Sequence, residues 1–233
     1  MQQKRNYQKE LDAVLQNIKK QEILPKLLLH SCCAPCSSYV LEYLSEYFEI
    51  IVFYYNPNIS PEEEYHKRVT EIKRLLAQMP LSHPVRFMEG TYDPQRFYRM
   101  AKGLEEIPEG GERCYRCYKM RLGEAYQAAQ ETGADYFTTT LSISPLKNAT
   151  WLNTIGEEFA GPDGGGNGTA VGPRWLVSDF KKRDGYKRSI QLSAEYDLYR
   201  QNYCGCIFSV NEMKERERRK QETISNVSAD TSI

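Results

Sequence analysis

Two short runs with almost no polar residue, KLLLH at 26–30 and IIVFYYN at 50–56, flank an amphipathic stretch, and no other feature constrains the fold of this chain as much. Runs of this length, apolar throughout and the second rich in β-branched and aromatic residues, read as strands covered on both faces. The stretch between them, SCCAPCSSYVLEYLSEYF, opens in a turn containing Pro35 and continues with helical periodicity. Strand, turn, helix and strand make a βαβ unit, whose two strands run parallel.

The same alternation extends in both directions. Tyr7, Leu11, Val14, Leu15 and Ile18 predict a helix over 7–20, stopped before Pro25. Ser60, Pro61 and three glutamates predict the start of another, running to about Met79. Residues 84–88 read as a short strand, DPQRFYRMAKGL as a helix, CYRCYKMRLGEAYQAAQETG as a Cys-bearing helix ended by Gly133, and DYFTTTLS as a further strand. The expected class is therefore α/β: a Rossmann-like (HUP-like), mostly parallel sheet with helices on both faces, plus a Cys-bearing helical region. Such sheets bind ligands at the carboxyl ends of their strands, where the first cysteines and TTTLSISPLKN both fall.

No change of composition marks a domain boundary, so one domain is expected over 1–212. The glycine-rich stretch 161–172 reads as a peripheral loop, because it lacks the strand-to-helix setting of a phosphate-binding loop. From Met213 the chain loses apolar residues and gains mixed charge, which predicts a flexible tail over 213–233.

Lys+Arg and Asp+Glu both number 31, so a polyanionic partner would have to meet a local patch. KKRDGYKR at 181–188 is the candidate, with Tyr186 placed to stack on a base; a solvated charged face is the plainer reading. No apolar run approaches the ~20 residues of a membrane span, and the start is not of signal-peptide type; a cytoplasmic protein with no membrane partner is expected.

In a reducing compartment, seven cysteines in clusters suggest metal ligation or redox chemistry rather than structural disulfides. Cys114 and Cys117, three apart near a helix start, project from one face, and Cys32 and Cys33 follow a strand where a turn can aim both at one centre. Four thiolates suit structural zinc or a [4Fe-4S] cluster, and the vicinal pair favours the larger group. Arg113 and Arg116 stand beside the second pair, as compensating cations or as a solvated face. Cys36 reads as a small buried hydrophobe, or else as a fifth ligand or a site for an additional metal ion. Cys204, Gly205 and Cys206 could form a strained, easily reduced disulfide, or stay two thiols at a glycine turn. Lys147 is a candidate phosphate or substrate contact, Asp179 and Tyr186 are candidate proton donors, and His30 reads as a packed strand-end residue rather than a ligand.

HSCCAPCS, ERCYRCYKMRL, TTTLSISPLKN, SDFKKRDGYKRS and YRQNYCGC, in this order between about Leu27 and Ser209, together resemble the cobalamin-independent epoxyqueuosine reductase family, QueH. The resemblance implies reduction of epoxyqueuosine to queuosine at the wobble position of tRNA, the last step of queuosine synthesis. It further implies a [4Fe-4S] cluster on Cys32, Cys33, Cys114 and Cys117, a redox-active Cys204/Cys206 disulfide, an external electron donor and room for an additional iron ion. Two rival classes, a zinc-stabilised RNA-binding module and a thiol-disulfide oxidoreductase, compete with this reading.

Overall fold

The computed structural model describes residues 5–161 and 172–230. Five parallel strands lie in the order β3-β2-β1-β4-β5: β1 Lys26–His30, β2 Glu49–Tyr54, β3 Val85–Glu89, β4 Tyr136–Thr139 and β5 Arg174–Trp175. This is the strand order of a Rossmann-type sheet, and it reverses direction between β1 and β4. Helices α1 Tyr7–Gln21, α2 Ala34–Leu44, α3 Glu62–Gln78, α4 Pro94–Ala101, α5 Glu112–Glu131, α6 Ala149–Ala160, α7 Gly185–Glu195 and α8 Ile207–Asp230 surround it.

Strand alternation divides β1 between two cores. Leu27 and Leu29 pack with α1 (Leu11, Leu15), α2 (Leu41, Leu44) and α3 (Ile72, Leu75). Leu28 faces the other way, with Phe137 of β4, Leu122 and Ala125 of α5 and Ile155 of α6. Burial on both faces explains why the strand is apolar at its three central positions, Leu27 to Leu29. Gly156 of α6 lies against the Trp175 indole so closely that an added Cβ would come within 2.0 Å of the ring. Among the described residues no helix is long and apolar enough to cross a membrane.

The strand expected over DYFTTTLS ends at Thr139 and gives way to a 3-10 turn, Thr140–Ile143. Pro61 takes the N-cap position of α3 rather than its first helical position, with no side-chain cap. Residues 162–171 of the glycine-rich stretch lie outside the described residues. Where composition predicts a flexible tail, α8 continues as helix to Asp230. The helix is tied at its start, where Glu212 accepts from the Glu109 amide at 3.0 Å and pairs with Arg113.

Candidate functional site

At the carboxyl ends of β1 and β4, where the sheet changes direction, the chain leaves a cavity of about 420 Å³. That lies within the range of about 300–1,000 Å³ usual for small-molecule sites, and the place is the crevice that such sheets offer to ligands. Its lining includes Cys32 and Cys33 from the β1–α2 turn, Cys36 from the first turn of α2, Leu141 and Ile143 to Lys147 from the segment after β4, and Cys204.

Cys33 is the N-cap of α2, and Cys36 sits in its first turn. The sulfurs of Cys32, Cys33 and Cys36 all lie within 4.8 Å of one another, so these three can hold a metal ion. The Cys32 thiol is held well below the usual thiol range, first by the Cys33 and Cys36 thiols as donors, then by Arg121 and the Thr140 hydroxyl. Cys33 is pushed up to about 12 and Cys36 also upward, because their protons are held against the Cys32 sulfur. Cys36, read from sequence as a small buried hydrophobe, is thus a member of the group; its C-x-x-C spacing from Cys33 was the available signal.

Cys114 and Cys117 stand on the first turns of α5, and the Gly110 amide donates to the Cys114 sulfur at 3.3 Å. Both pairs therefore lie at helix N-termini, which favour negative charge on sulfur. Burial raises both α5 thiols, Cys117 to about 12. Their common charge neighbour is Cys204, whose own thiol is held well below its usual range by Cys206 as donor and by Lys147 and Arg121. Cys206 is pushed upward by Cys204 and by burial, and packs with Phe97, Ala101 and Cys117. The structure thus brings Cys32, Cys33 and Cys36 together and puts Cys204 in the same cavity, whereas Cys114 and Cys117 do not line it. All seven cysteines are free thiols in the structure.

Gly205 has φ +109°, and an added Cβ there would meet the Arg68 guanidinium at 2.9 Å. Arg68, on α3 and 3% exposed, is paired with Glu64 at 2.6 Å and donates to the Cys204 carbonyl at 3.1 Å. Asn58 donates to the Cys204 sulfur at 3.8 Å, and the Ser60 amide to the Gly205 carbonyl at 2.9 Å. Glycine is required because only it combines that φ with so close an approach. None of Arg68, Glu64, Asn58 or Arg121 was singled out in the sequence, where each sits among ordinary helix or loop polar residues.

The cations expected beside the thiols are not the ones found there. Arg113 is buried but donates to the carbonyls of Leu104, Glu105 and Ile107, and Arg116 is exposed and paired with Glu112. The cavity is instead lined by Arg68, Arg121 and Lys147. Lys147 is buried and paired with Glu109 at 2.9 Å; burial would lower its ammonium, but Cys204, Tyr118 and Glu109 outweigh that and raise it. Asp179 is engaged by Lys181 and does not line the cavity.

His30 is fully buried and uses both ring nitrogens: Nδ1 contacts the Thr139 hydroxyl at 2.7 Å, and Nε2 donates to the Tyr55 carbonyl at 3.2 Å. Burial, then Arg121, pushes its imidazole down to about 3, so it is a neutral packed residue, as read from sequence. Within 181–188, Lys181, Arg183 and Arg188 are neutralised by Asp179, Asp12 and Glu42. Lys182, Tyr186 and Lys187 are exposed, and Tyr186 lines the cavity mouth under the Arg200 guanidinium, 5.6 Å from its ring centre.

A sequence profile described as "Epoxyqueuosine reductase QueH" matches residues 27–212. The chain belongs to that family. Relatives carrying the same description include those of Streptococcus pyogenes (40% identical, covering 89% of this chain and 79% of the relative) and Staphylococcus epidermidis (41%, covering 89% and 85%). The relative from Thermotoga maritima is 34% identical, over 82% of this chain and 93% of its own. Among solved structures, an NMN synthetase from Francisella tularensis gives a TM-score of 0.42 at 11% identity, covering 85% of this chain and 75% of that one, a likeness too distant to bear on function. Membership in the QueH family makes the chain an oxidoreductase, an epoxyqueuosine reductase, and the cavity with its thiols is the candidate seat of that reduction.

Proposed function

We propose that the chain carries out this reduction on tRNA, at the wobble position and as the last step of queuosine synthesis, through a [4Fe-4S] cluster held by Cys32, Cys33, Cys114 and Cys117, with Cys204 and Cys206 as its dithiol. Acting in the cytoplasm, it would draw on an external electron donor. The observation that carries the reading is the packing of the Cys32, Cys33 and Cys36 sulfurs within 4.8 Å of one another, in one cavity with Cys204.

The residues present fit such a group. Its ligands would be soft thiolates at two helix N-termini, and the buried Arg68 Nη2 and Arg121 Nε atoms beside them have no hydrogen-bond partner. When bound, the cluster supplies one-electron transfer next to the substrate. Cys36, outside the four ligands, is available to an additional iron.

Opening an epoxide to an alkene breaks two C–O bonds, forms the C=C π bond and releases the oxygen as water, for two electrons and two protons. Oxidation of the Cys204 thiolate and the Cys206 thiol to a disulfide yields two electrons and one proton, so one such pair matches the electrons of one turnover, the second proton comes from solvent, and the donor must then re-reduce the disulfide. Cys204 is the nucleophilic thiolate of the pair, and Cys206 Sγ holds the proton. The wobble nucleoside would enter past Tyr186 and Arg200, whose ring and guanidinium can stack on a base, while Lys182 and Lys187 meet phosphates.

Anaerobic purification with iron and sulfide analysis and EPR of the reduced protein tests the cluster. About four irons per chain are expected, and fewer than about two after reconstitution would overturn the assignment. A colourless protein that holds zinc would favour the structural-zinc alternative. Mass spectrometry of tRNA carrying epoxyqueuosine, before and after incubation, tests the substrate; free nucleoside reduced as fast as tRNA would refute tRNA docking.

A further inference from the structure

Arg121 lies four residues beyond Cys117 on α5, 1% exposed, and reaches the cavity shared by Cys32 and Cys204. Its Nη2 donates to the Asn56 side-chain oxygen, while Asn56 Nδ2 donates at 2.9 Å to the carbonyl of Ser31, the residue before Cys32. The guanidinium is thus tied to the β1–α2 turn as well as to its own helix. Its Nε is buried and has no hydrogen-bond partner.

A buried guanidinium without an anion is costly, by several kcal/mol for the ion alone in the order-of-magnitude sense. Among the described residues no carboxylate pairs with Arg121. Arg121 lines one cavity with Cys32 and Cys204 and stands one helical turn beyond Cys117, so sulfur is the anion-forming group that surrounds it, and its buried Nε–H is an unused donor beside those thiols.

Resting on the cluster reading above, we infer that Arg121 is the hydrogen-bond donor and counter-ion of the sulfur centre, its Nε–H directed at a thiolate or sulfide of that centre, and that it raises the centre's reduction potential. A fixed positive charge stabilises the reduced, more negative state over the oxidised one. Arg121 is a positioning residue in this role, since it tunes the centre without meeting substrate.

The test is made on reconstituted holoenzyme containing [15N]arginine. In the reduced protein, pulsed EPR is expected to show a 15N coupling from a guanidinium nitrogen close to the spin, and that coupling is expected to vanish in Arg121→Lys. EPR-monitored titration is expected to place Arg121→Gln about 59 mV or more below wild type, a tenfold shift of the one-electron equilibrium, with Arg121→Lys between the two. A loaded wild-type protein with no 15N coupling, a coupling that survives in Arg121→Lys, or an unchanged potential in the variants would overturn the inference. Should Arg121→Lys fail to fold, Arg68→Lys takes its place: the coupling must persist there, and its loss would assign the role to Arg68 instead. Wild-type protein that binds no iron would sink the cluster reading itself, a separate result from an iron-loaded protein without the coupling.

Discussion

Replacing Arg68 by Met strikes both a buried ion pair within α3 and the guanidinium donor that ties α3 to the Cys-Gly-Cys loop. The Arg68–Glu64 contact is 2.6 Å long between side chains 3% and 9% exposed. Removing one partner of such a pair leaves the other charge buried and costs about 3–5 kcal/mol. Glu64 keeps the Tyr199 hydroxyl as a donor at 3.1 Å, which places the loss at the lower end of that range. For a chain of this size the whole interval corresponds to a fall in Tm of roughly 6–20 °C. The double variant Glu64→Gln/Arg68→Met removes both charges and should recover more than half of the loss. Neither variant restores the donor to the Cys204 carbonyl, so in both kcat should fall while KM for substrate stays near wild type. Urea unfolding followed by circular dichroism, with steady-state kinetics on the same preparations, measures the two effects. A single variant that loses under about 1 kcal/mol, or a double variant no more stable than the single one, would refute the cost assigned to the unpaired buried charge.

Glu71 accepts from the Tyr199 amide at 2.6 Å and pairs with Arg74 at 2.7 Å, and the Arg74 hydrogen bond, then the Tyr199 amide, hold its carboxyl below the ordinary range against partial burial. A carboxyl lowered on folding stabilises the protein above its unfolded pKa, about 4.3, and that contribution is lost as the pH falls through the folded value. Glu71→Gln should therefore cost about 1–3 kcal/mol at pH 7, and that cost should shrink as the pH falls below the unfolded value; a cost that does not change with pH would refute the linkage. Gly156→Ala drives a methyl into the Trp175 ring and should destabilise by about 1–3 kcal/mol or more, read as a lower urea midpoint with blue-side changes in tryptophan fluorescence. Cys204→Ser should leave the iron content of reconstituted protein unchanged and abolish single turnover driven by the pre-reduced dithiol; loss of iron in this variant would make Cys204 a ligand instead.

Much of the architecture was legible because a strand buried on both faces is apolar along its middle, as β1 and β2 are, and a helix on a core carries an apolar stripe, as α1 to α5 do. β3, VRFME, and β4, YFTT, carry no such run and were legible from the alternation of strands with helices. α6 was missed although its signal was present: Asn148 caps it, accepting from the Trp151 amide at 3.2 Å, and Leu152 and Ile155 repeat at helical spacing. α7 gave no such signal. It buries Gly185, Ser189 and Ser193 beside Leu192, and the serines satisfy their hydroxyls on carbonyls within the helix at 2.7 and 2.6 Å, so its inner face is small and polar rather than apolar. β5, two residues long, is below the length at which alternation can be seen.

What the sequence by itself determined was therefore the parallel α/β plan, the place of the cysteines at strand and helix ends, and the chemical kind of centre they can build, since these follow from local periodicity and from sulfur as a soft ligand. The tertiary structure alone decided the grouping and the charge balance: Cys36 with Cys32 and Cys33, Cys204 in one cavity with those three, and Arg68, Arg121 and Lys147 rather than Arg113 and Arg116 around it. The physical reason is that an arginine's role depends on which charges share its low-dielectric surroundings. α3, α5 and the loop after α7 bring Arg68, Arg121 and Cys204 together from positions more than fifty residues apart, a relation that no local pattern encodes.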